Sequence, residues 1–202
     1  MTLDPLHDAS PATPESLKAR ILRVATRLFA DRGYGATSVR EVAEAAGCTK
    51  PALYYHFGSK ESLWLAALRA ETEALDSFGR DDPPEGVRVR DHLVHAIGAF
   101  FAYLEAEPTG MRLLMRADLR PEPGQPTFDF TSTRARHQER VRELLELARA
   151  RGEVRRDLDL MDGVHALTGM VDARLQLWLH GEPLAPDLPE RIVSLFFHGV
   201  AS

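Results

Sequence analysis

Residues 36–63 have the sequence ATSVREVAEAAGCTKPALYYHFGSKESL. Ser38 and Glu41 in this segment have the spacing of a capping box, in which each residue satisfies a free N–H group of the other. A short helix is therefore predicted to begin after Ser38. Gly47 is suited to end it, because glycine readily adopts the left-handed conformation found after helix C-termini.

A second short helix follows Gly47. Thr49 can accept a hydrogen bond from its first free N–H groups, and Pro51 is tolerated because first-turn amides have no helical partner. This helix is predicted over residues 50–57, before Gly58. Two short helices joined by a tight turn indicate a helix-turn-helix unit, whose second helix lies in the major groove of DNA.

The outward face of this second helix carries no acidic residue. Leu53 and Phe57 lie four positions apart and are predicted to face inward. The outward positions, together with the lysine just beyond them, are Lys50, Tyr54, Tyr55, His56 and Lys60. Tyrosine and histidine can hydrogen-bond to phosphate, and lysine supplies charge. An ordinary surface with one tyrosine partly buried fits this pattern equally well.

The rest of the chain is also predicted to be helical, because proline and glycine divide it into helix-length segments without β-type alternation. A first helix is expected after Thr13, with Pro14 at its first position, and to end at Gly33. A longer helix is expected after Ser59, to about residue 78. The later helices are predicted at 87–106, 109–119, 127–151, 160–180 and 187–198, which gives an all-α fold of about nine helices.

Three segments are predicted: a disordered tail over residues 1–13, a helix-turn-helix DNA-binding domain over 14–60 and a second helical domain over 61–202. The helix at 59–78 connects the two domains. The N-terminal tail has acidic residues and prolines where a signal peptide has basic and apolar residues. No apolar run is long enough to cross a membrane. A cytoplasmic protein without membrane contact is expected.

The net charge of −5 argues against a nucleic-acid partner when it is taken for the whole chain. Residues 16–60, however, hold eight basic and three acidic residues, so this segment is +5 and the remainder is −10. Such asymmetry is typical of a nucleic-acid module joined to another domain. The single cysteine, Cys48, excludes an internal disulfide and fits a reducing compartment.

Residues 21–67 resemble the N-terminal DNA-binding domain of the TetR family of transcriptional regulators. The matching motifs are AxxLFxxxGY at 25–34, ATSVREVAEAAG at 36–47 and LYYHFxSKExL at 53–63. The resemblance covers about a quarter of the chain and is strong. It implies a regulator rather than an enzyme, with no cofactor or bound metal. Its partners would be a second copy of the chain, a palindromic double-stranded operator and a small-molecule effector.

The resemblance also assigns roles to single positions. Thr37 and Ser38 stand where the family contacts phosphate. The positions that contact phosphate or base edges in the family are occupied here by Lys50, Tyr54, His56 and Lys60. The positions whose base contacts vary from member to member are occupied by Thr49, Pro51, Ala52 and Tyr55. Pro51 and Ala52 depart from the pattern, because neither side chain can hydrogen-bond, which leaves the operator sequence open.

The resemblance implies that the second domain is a ligand-binding and dimerisation domain, in which the last two helices pair two subunits in a four-helix bundle. Apolar residues recur there at helical spacing, and completion of the protomer's own core is the alternative. The predicted dimer contacts are Val164, Leu167, Val171, Leu175, Trp178, Ile192, Leu195 and Phe196.

A pocket for a moderately hydrophobic effector is expected among the helices of the second domain, where methionine and aromatic side chains are frequent, although such side chains are more often ordinary core. The predicted lining residues are Phe100, Tyr103, Leu104, Met111, Met115, Phe128, Phe130, His137, His165, Met170 and Arg174. The resemblance implies that the helix with Trp64 and Leu68 links the ligand-binding domain to the DNA-binding heads. The chain is accordingly predicted to be a repressor released from its operator by an effector.

Three alternatives stay open at this point. His92 and His95 beside Asp91 resemble a metal or acid–base site, although this pattern arises far more often from two partly exposed histidines on an amphipathic helix. Cys48 lies before a helix N-terminus, which could lower its pKa and make it a redox switch. A DNA-binding protein without any ligand is the third alternative.

Overall fold

The computed structural model describes residues 15–200, which form nine α-helices and no strand. The helices are α1 (Leu17–Arg32), α2 (Val39–Ala45), α3 (Lys50–Phe57), α4 (Lys60–Asp76), α5 (Val89–Ala106), α6 (Pro108–Leu119), α7 (Phe130–Ala150), α8 (Leu160–Leu179) and α9 (Leu188–Val200). The predicted all-α fold is confirmed. The tail predicted over residues 1–13 lies outside the described part of the chain. None of the described helices is both long and apolar enough to cross a membrane.

The predicted N-terminal caps of α2, α3 and α4 are confirmed. Ser38 and Glu41 form the reciprocal capping box, and the hydroxyls of Thr49 and Ser59 accept hydrogen bonds from the third residue after each. The prediction that α1 begins directly after Thr13 is wrong. The cap of this helix is Ser16, whose Oγ accepts from the N–H of Ala19 at 3.2 Å, so the helix begins at Leu17.

Several later boundaries differ from the predicted ones by two or three residues. The connecting helix ends at Asp76, before residue 78, and α5 begins at Val89. The start of α7 moves to Phe130, because the Asp129 carboxylate caps the helix by accepting from the N–H of Ser132 at 3.0 Å. Phe128 therefore precedes the helix.

Two apolar cores are present. The first joins α1–α4 and is closed by Leu113, Leu114 and Ala117 from α6, and the indole ring of Trp64 lies fully buried at its centre. The second joins α5 and α7–α9 with Met111 of α6. Because α4 and α6 serve both regions, the proposed boundary at residue 60 remains a prediction.

Candidate nucleic-acid interface and ligand cavity

The turn between α2 and α3 is held by backbone and capping contacts. The N–H of Cys48 donates to the carbonyl of Ala43 at 2.9 Å, and Thr49 Oγ1 accepts from the N–H of Ala52 at 3.3 Å. Leu53 and Phe57 are buried, as predicted, in the core formed with α1 and α4. The orientation of α3 is therefore fixed by its inner face.

The outer face of α3 is open to solvent. Tyr54 is 47% and Tyr55 is 87% exposed, which is unusual for side chains of this size. Of the other predicted DNA-contacting positions, the exposed ones are Ser38, Thr49, Lys50 and Pro51, and the half-buried ones are Ala52, His56 and Lys60. The structure thus places all of them except Thr37 at least partly at the surface.

Thr37 has a structural role that the sequence pattern did not reveal. Its side chain is only 1% exposed, and its Oγ1 lies 2.8 Å from the carbonyl oxygen of Gly33 and 3.2 Å from that of Leu28. The hydroxyl therefore ties the end of α1 to the start of α2. It is not free for the phosphate contact predicted for it.

Lys60 is positioned by an aromatic ring. Its ammonium group lies over the ring of Tyr34, 4.2 Å from the centroid, and Tyr34 packs edge-on against Trp64 at 5.4 Å. A cation over the face of an aromatic ring is attracted electrostatically. This contact holds the charge of Lys60 near the N-terminus of α4.

A contact between distant segments joins the end of α1 and the turn before α2 to the loop after α6. Arg116 and Glu122 form an ion pair at 2.9 Å; Arg116 also donates to the carbonyl of Arg32 at 3.2 Å, and Glu122 accepts from the N–H of Gly35 at 2.8 Å. The pKa of Glu122 is lowered below its usual range, mainly by the hydrogen bond from Gly35 and next by the contact with Arg116. Neither residue was singled out from the sequence.

A side chain at position 33 would disturb this contact. Gly33 has φ +87° and ψ 173°, a region that is essentially restricted to glycine. A Cβ built there would overlap the carboxylate of Glu122. The glycine that ends α1 is thus needed both for its backbone conformation and for the approach of Glu122.

A cavity of about 270 Å³ lies among α4, α5, α6, α7 and α8. Five of the predicted lining residues contribute to its wall: Phe100, Met111, Met115, Phe130 and His137. The sequence prediction missed the contribution of α4, where Thr72, Leu75 and Asp76 line the cavity, and that of Asp172 on α8.

Six predicted lining residues lie elsewhere. Leu104 is fully buried in the second core, with Tyr103 and Met170 packed against that core, and Phe128 packs on Phe130 at 4.8 Å. His165 is exposed on α8, and Arg174 lies 4.0 Å from Glu182. Helical periodicity did not distinguish the cavity wall from the neighbouring faces.

Most residues predicted to form the dimer interface are used inside the protomer. Five are buried in the second core: Val164, Leu167, Leu175, Ile192 and Phe196. Val171 and Trp178 pack against it, and Leu195 is 69% exposed. The apolar stripe of α8 therefore faces the core, which was the alternative left open. Pairing through α8 and α9 remains a prediction, and it requires the opposite faces.

The other sites considered from the sequence gain no support from neighbouring residues. Within residues 15–200, no group of three or more His, Cys, Asp or Glu side chains could hold a metal ion. His92 is half-buried, and its pKa is lowered mainly by burial and then by Arg140; His95 is exposed. Cys48 is half-buried and is not part of a disulfide.

Comparison with known proteins gives the family. The sequence model for bacterial regulatory proteins of the tetR family matches residues 21–67. The transcriptional repressor KstR2 of Mycolicibacterium smegmatis is 32% identical over 154 residues, which are 75% of this chain and 74% of that protein. The chain belongs to the tetR family. This tetR-family protein is therefore a transcriptional regulator and not an enzyme.

Two further comparisons agree with the family assignment. The transcriptional activator FasR of Mycolicibacterium smegmatis is 38% identical to the regulator over 106 residues, 52% of this chain and 48% of FasR, so the match spans about half of that protein. The structure of the ketosteroid transcriptional regulator KstR2 of Mycobacterium tuberculosis superposes with a TM-score of 0.70. That match covers 94% of this chain and 97% of KstR2 at 23% identity, and it shows the shared fold.

Proposed function

We propose that the regulator is a dimeric repressor that leaves its operator when a largely apolar molecule enters the cavity. The observation that carries this proposal is the position of α4. Its N-terminal half places Leu63, Trp64 and Leu68 in the core beneath α3, and its C-terminal half places Thr72 and Leu75 in the cavity wall. One continuous helix thus contacts both regions.

DNA binding is assigned to the outer face of α3, and its shape and charge support the assignment. Lys50, Tyr54 and Tyr55 are exposed side by side, and the helix has no carboxylate that would repel phosphate. A helix of this length reads only a few base pairs, so two copies are needed for specificity. A symmetric dimer then predicts a palindromic operator.

The dimer is assigned to the exposed faces of α8 and α9. On α8 this face carries the small residues Ala166, Gly169 and Ala173 beside Leu177, and on α9 it carries Leu195. Among the described residues, no side chain and no other segment lies within 4 Å of a Cβ built at Gly169. Small side chains allow close approach of a second helix, and the exposed leucines supply apolar area for burial.

Release by an effector follows if the ligand-bound and DNA-bound dimers differ in head spacing. A ligand shifts an equilibrium only through its different affinity for the two states. Side chains of α4 form part of the cavity wall, so a ligand that displaces α4 also moves the core on which α3 rests. Repression is proposed by analogy with KstR2, the relative matched over most of its length.

Selection from a random-sequence DNA library with the full chain tests the DNA-binding part. The proposal predicts enrichment of an inverted repeat with half-sites separated by about one helical turn, roughly 34–36 Å, or a multiple of it. The variant Tyr55→Ala should lose the enrichment. Leu119→Ala removes a side chain 57% exposed at the end of α6 and should keep it. Equal enrichment by both variants, or no inverted repeat, would contradict the proposal.

A further inference from the structure

The polar groups of the cavity wall are mostly occupied by protein partners. Thr72 Oγ1 lies 3.0 Å from the carbonyl oxygen of Leu68, and Thr168 donates to the carbonyl of Val164 at 2.7 Å. Both hydroxyls are thereby held by their own helices. These two hydroxyls therefore offer a ligand little free hydrogen-bond donor capacity.

The two arginines of the wall are also paired. Arg134 contacts Asp118 at 3.0 Å. Arg140 contacts Asp82 at 3.0 Å and donates to the carbonyls of Gly79 and Asp81 at 2.9 and 2.7 Å. An anionic ligand would have to break these contacts before it gained a cationic partner. The gain from the new contact would be largely offset by the loss of the existing ion pairs and hydrogen bonds of the two arginines.

Three polar side chains in the wall remain unpaired. His137 and Gln138 on α7 and Asp172 on α8 make no hydrogen bond or ion pair with any described residue. Asp172 thus carries the one full negative charge of the wall that is not neutralised by a contact within the described chain. The side chains that α5 and α6 contribute to the wall are apolar except for Asp118, and they include Phe100 and Met111.

The surroundings of Asp172 favour a hydrogen-bond donor. Asp172 is an exposed residue of the cavity wall, and the pKa of its carboxyl group is raised mainly by partial desolvation, while the charges of His137 and then Arg134 act in the opposite direction. A ligand that covers this carboxylate removes its water, which is unfavourable unless the ligand supplies a hydrogen-bond donor or a positive charge in its place. A ligand group that donates to it would remove this cost, whereas a second carboxylate would be repelled.

From the unpaired groups of this wall we infer that the effector is an apolar molecule with a hydrogen-bond-donating head group, a hydroxyl or a protonated amine, bound at Asp172. The inference rests on the proposed effector cavity. His137 and Gln138 flank the head group, and the apolar body lies against α5 and α6. Carboxylate-headed molecules of the same length are disfavoured.

Three probes of equal chain length test this inference: 1-decanol, decylamine and decanoate, each below its aggregation limit. Isothermal titration of the full chain should show 1-decanol and decylamine binding at least about tenfold more tightly than decanoate, a difference of ~1.4 kcal/mol. In Asp172→Asn the preference of decylamine over decanoate should fall to within about threefold. Asp162→Asn, an exposed change on the same helix outside the cavity, should retain it.

Other outcomes separate the inference from the proposed function. Decanoate binding as tightly as decylamine, or a preference unchanged in Asp172→Asn, overturns the head-group inference and leaves the effector cavity standing. Failure of all three probes to bind overturns both. Circular dichroism of each variant establishes that it is folded before it is titrated.

Discussion

The carboxylate of Glu122 accepts a hydrogen bond from the backbone N–H of Gly35 at 2.8 Å, although 87 residues separate the two. Gly35 lies in the turn that precedes the helix-turn-helix unit, and Glu122 follows α6, whose Met111 and Met115 line the cavity. This hydrogen bond therefore joins the DNA-binding head to an element of the cavity wall, in addition to the connection through α4.

Removal of this carboxylate should destabilise the protein. Glu122→Ala leaves the Gly35 N–H without its acceptor and removes the ion pair of Arg116, for an expected loss of about 1–2 kcal/mol. Thermal denaturation would show a Tm lower by roughly 2–8 °C for a chain of this size. Glu139→Ala removes an exposed ion pair to Arg142, which solvent screens, and should lower the Tm by less than Glu122→Ala does. Equal losses in the two variants would show that the contact contributes no more than a surface ion pair.

The stability that Glu122 contributes through its contacts should depend on pH. The folded-state pKa of Glu122 is lowered below the ordinary value of 4.5, so its stabilising effect is present above that value. It is lost as the pH falls through the lowered pKa. The difference in stability between wild type and Glu122→Ala should accordingly shrink during acid titration below about pH 4.5.

The lysines of the DNA-facing surface should contribute without regard to sequence. Lys50→Ala or Lys60→Ala is expected to weaken binding to every duplex and to reduce the slope of log K against log salt by about one unit. Fluorescence anisotropy over a salt series measures this slope. Arg155→Ala removes the same charge between α7 and α8 and should leave the slope unchanged. Unaltered slopes in both lysine variants would mean that α3 has been assigned the wrong partner surface.

A charge on the outer face of α9 should prevent dimerisation. Leu195 is 69% exposed, and Leu195→Glu would place a carboxylate within the proposed apolar interface. Light scattering after size exclusion should then give the monomer mass. Leu119→Glu, at another exposed leucine, should leave the dimer intact. A dimer of unchanged affinity in Leu195→Glu would exclude this face.

Glu71 should make the folded protein less stable as the pH rises. Burial raises its pKa above the ordinary 4.5, Tyr103 and Thr26 hydrogen-bond to it, and Glu107 adds repulsion. Between the ordinary and the raised pKa, the folded state binds more protons than the unfolded state, so stability is fully present below 4.5 and declines through this window. Glu71→Gln should flatten the decline in thermal denaturation across pH, whereas the exposed Glu73→Gln should not. Identical pH profiles for the two variants would show that Glu71 is not the group responsible.

Features set by neighbouring residues could be predicted from the sequence, and features set by distant ones could not. The capping box of Ser38 and Glu41 and the cap at Thr49 depend on residues three positions apart. The contact of Glu122 with Gly35 has no local signal. Val164 and Leu167 were correctly predicted to share an apolar stripe, but periodicity gives the direction of a face and not whether the core or a second subunit covers it.

The distance between the two DNA-binding heads tests the central proposal most directly. Spin labels at Ala45→Cys in a Cys48→Ser background would lie at the exposed end of α2, and pulsed electron resonance measures their separation in the dimer. With operator DNA bound, the distribution should be narrow; with 1-decanol at a concentration that releases the operator, it should shift to a different separation. An unchanged distribution at that concentration would contradict release through head spacing.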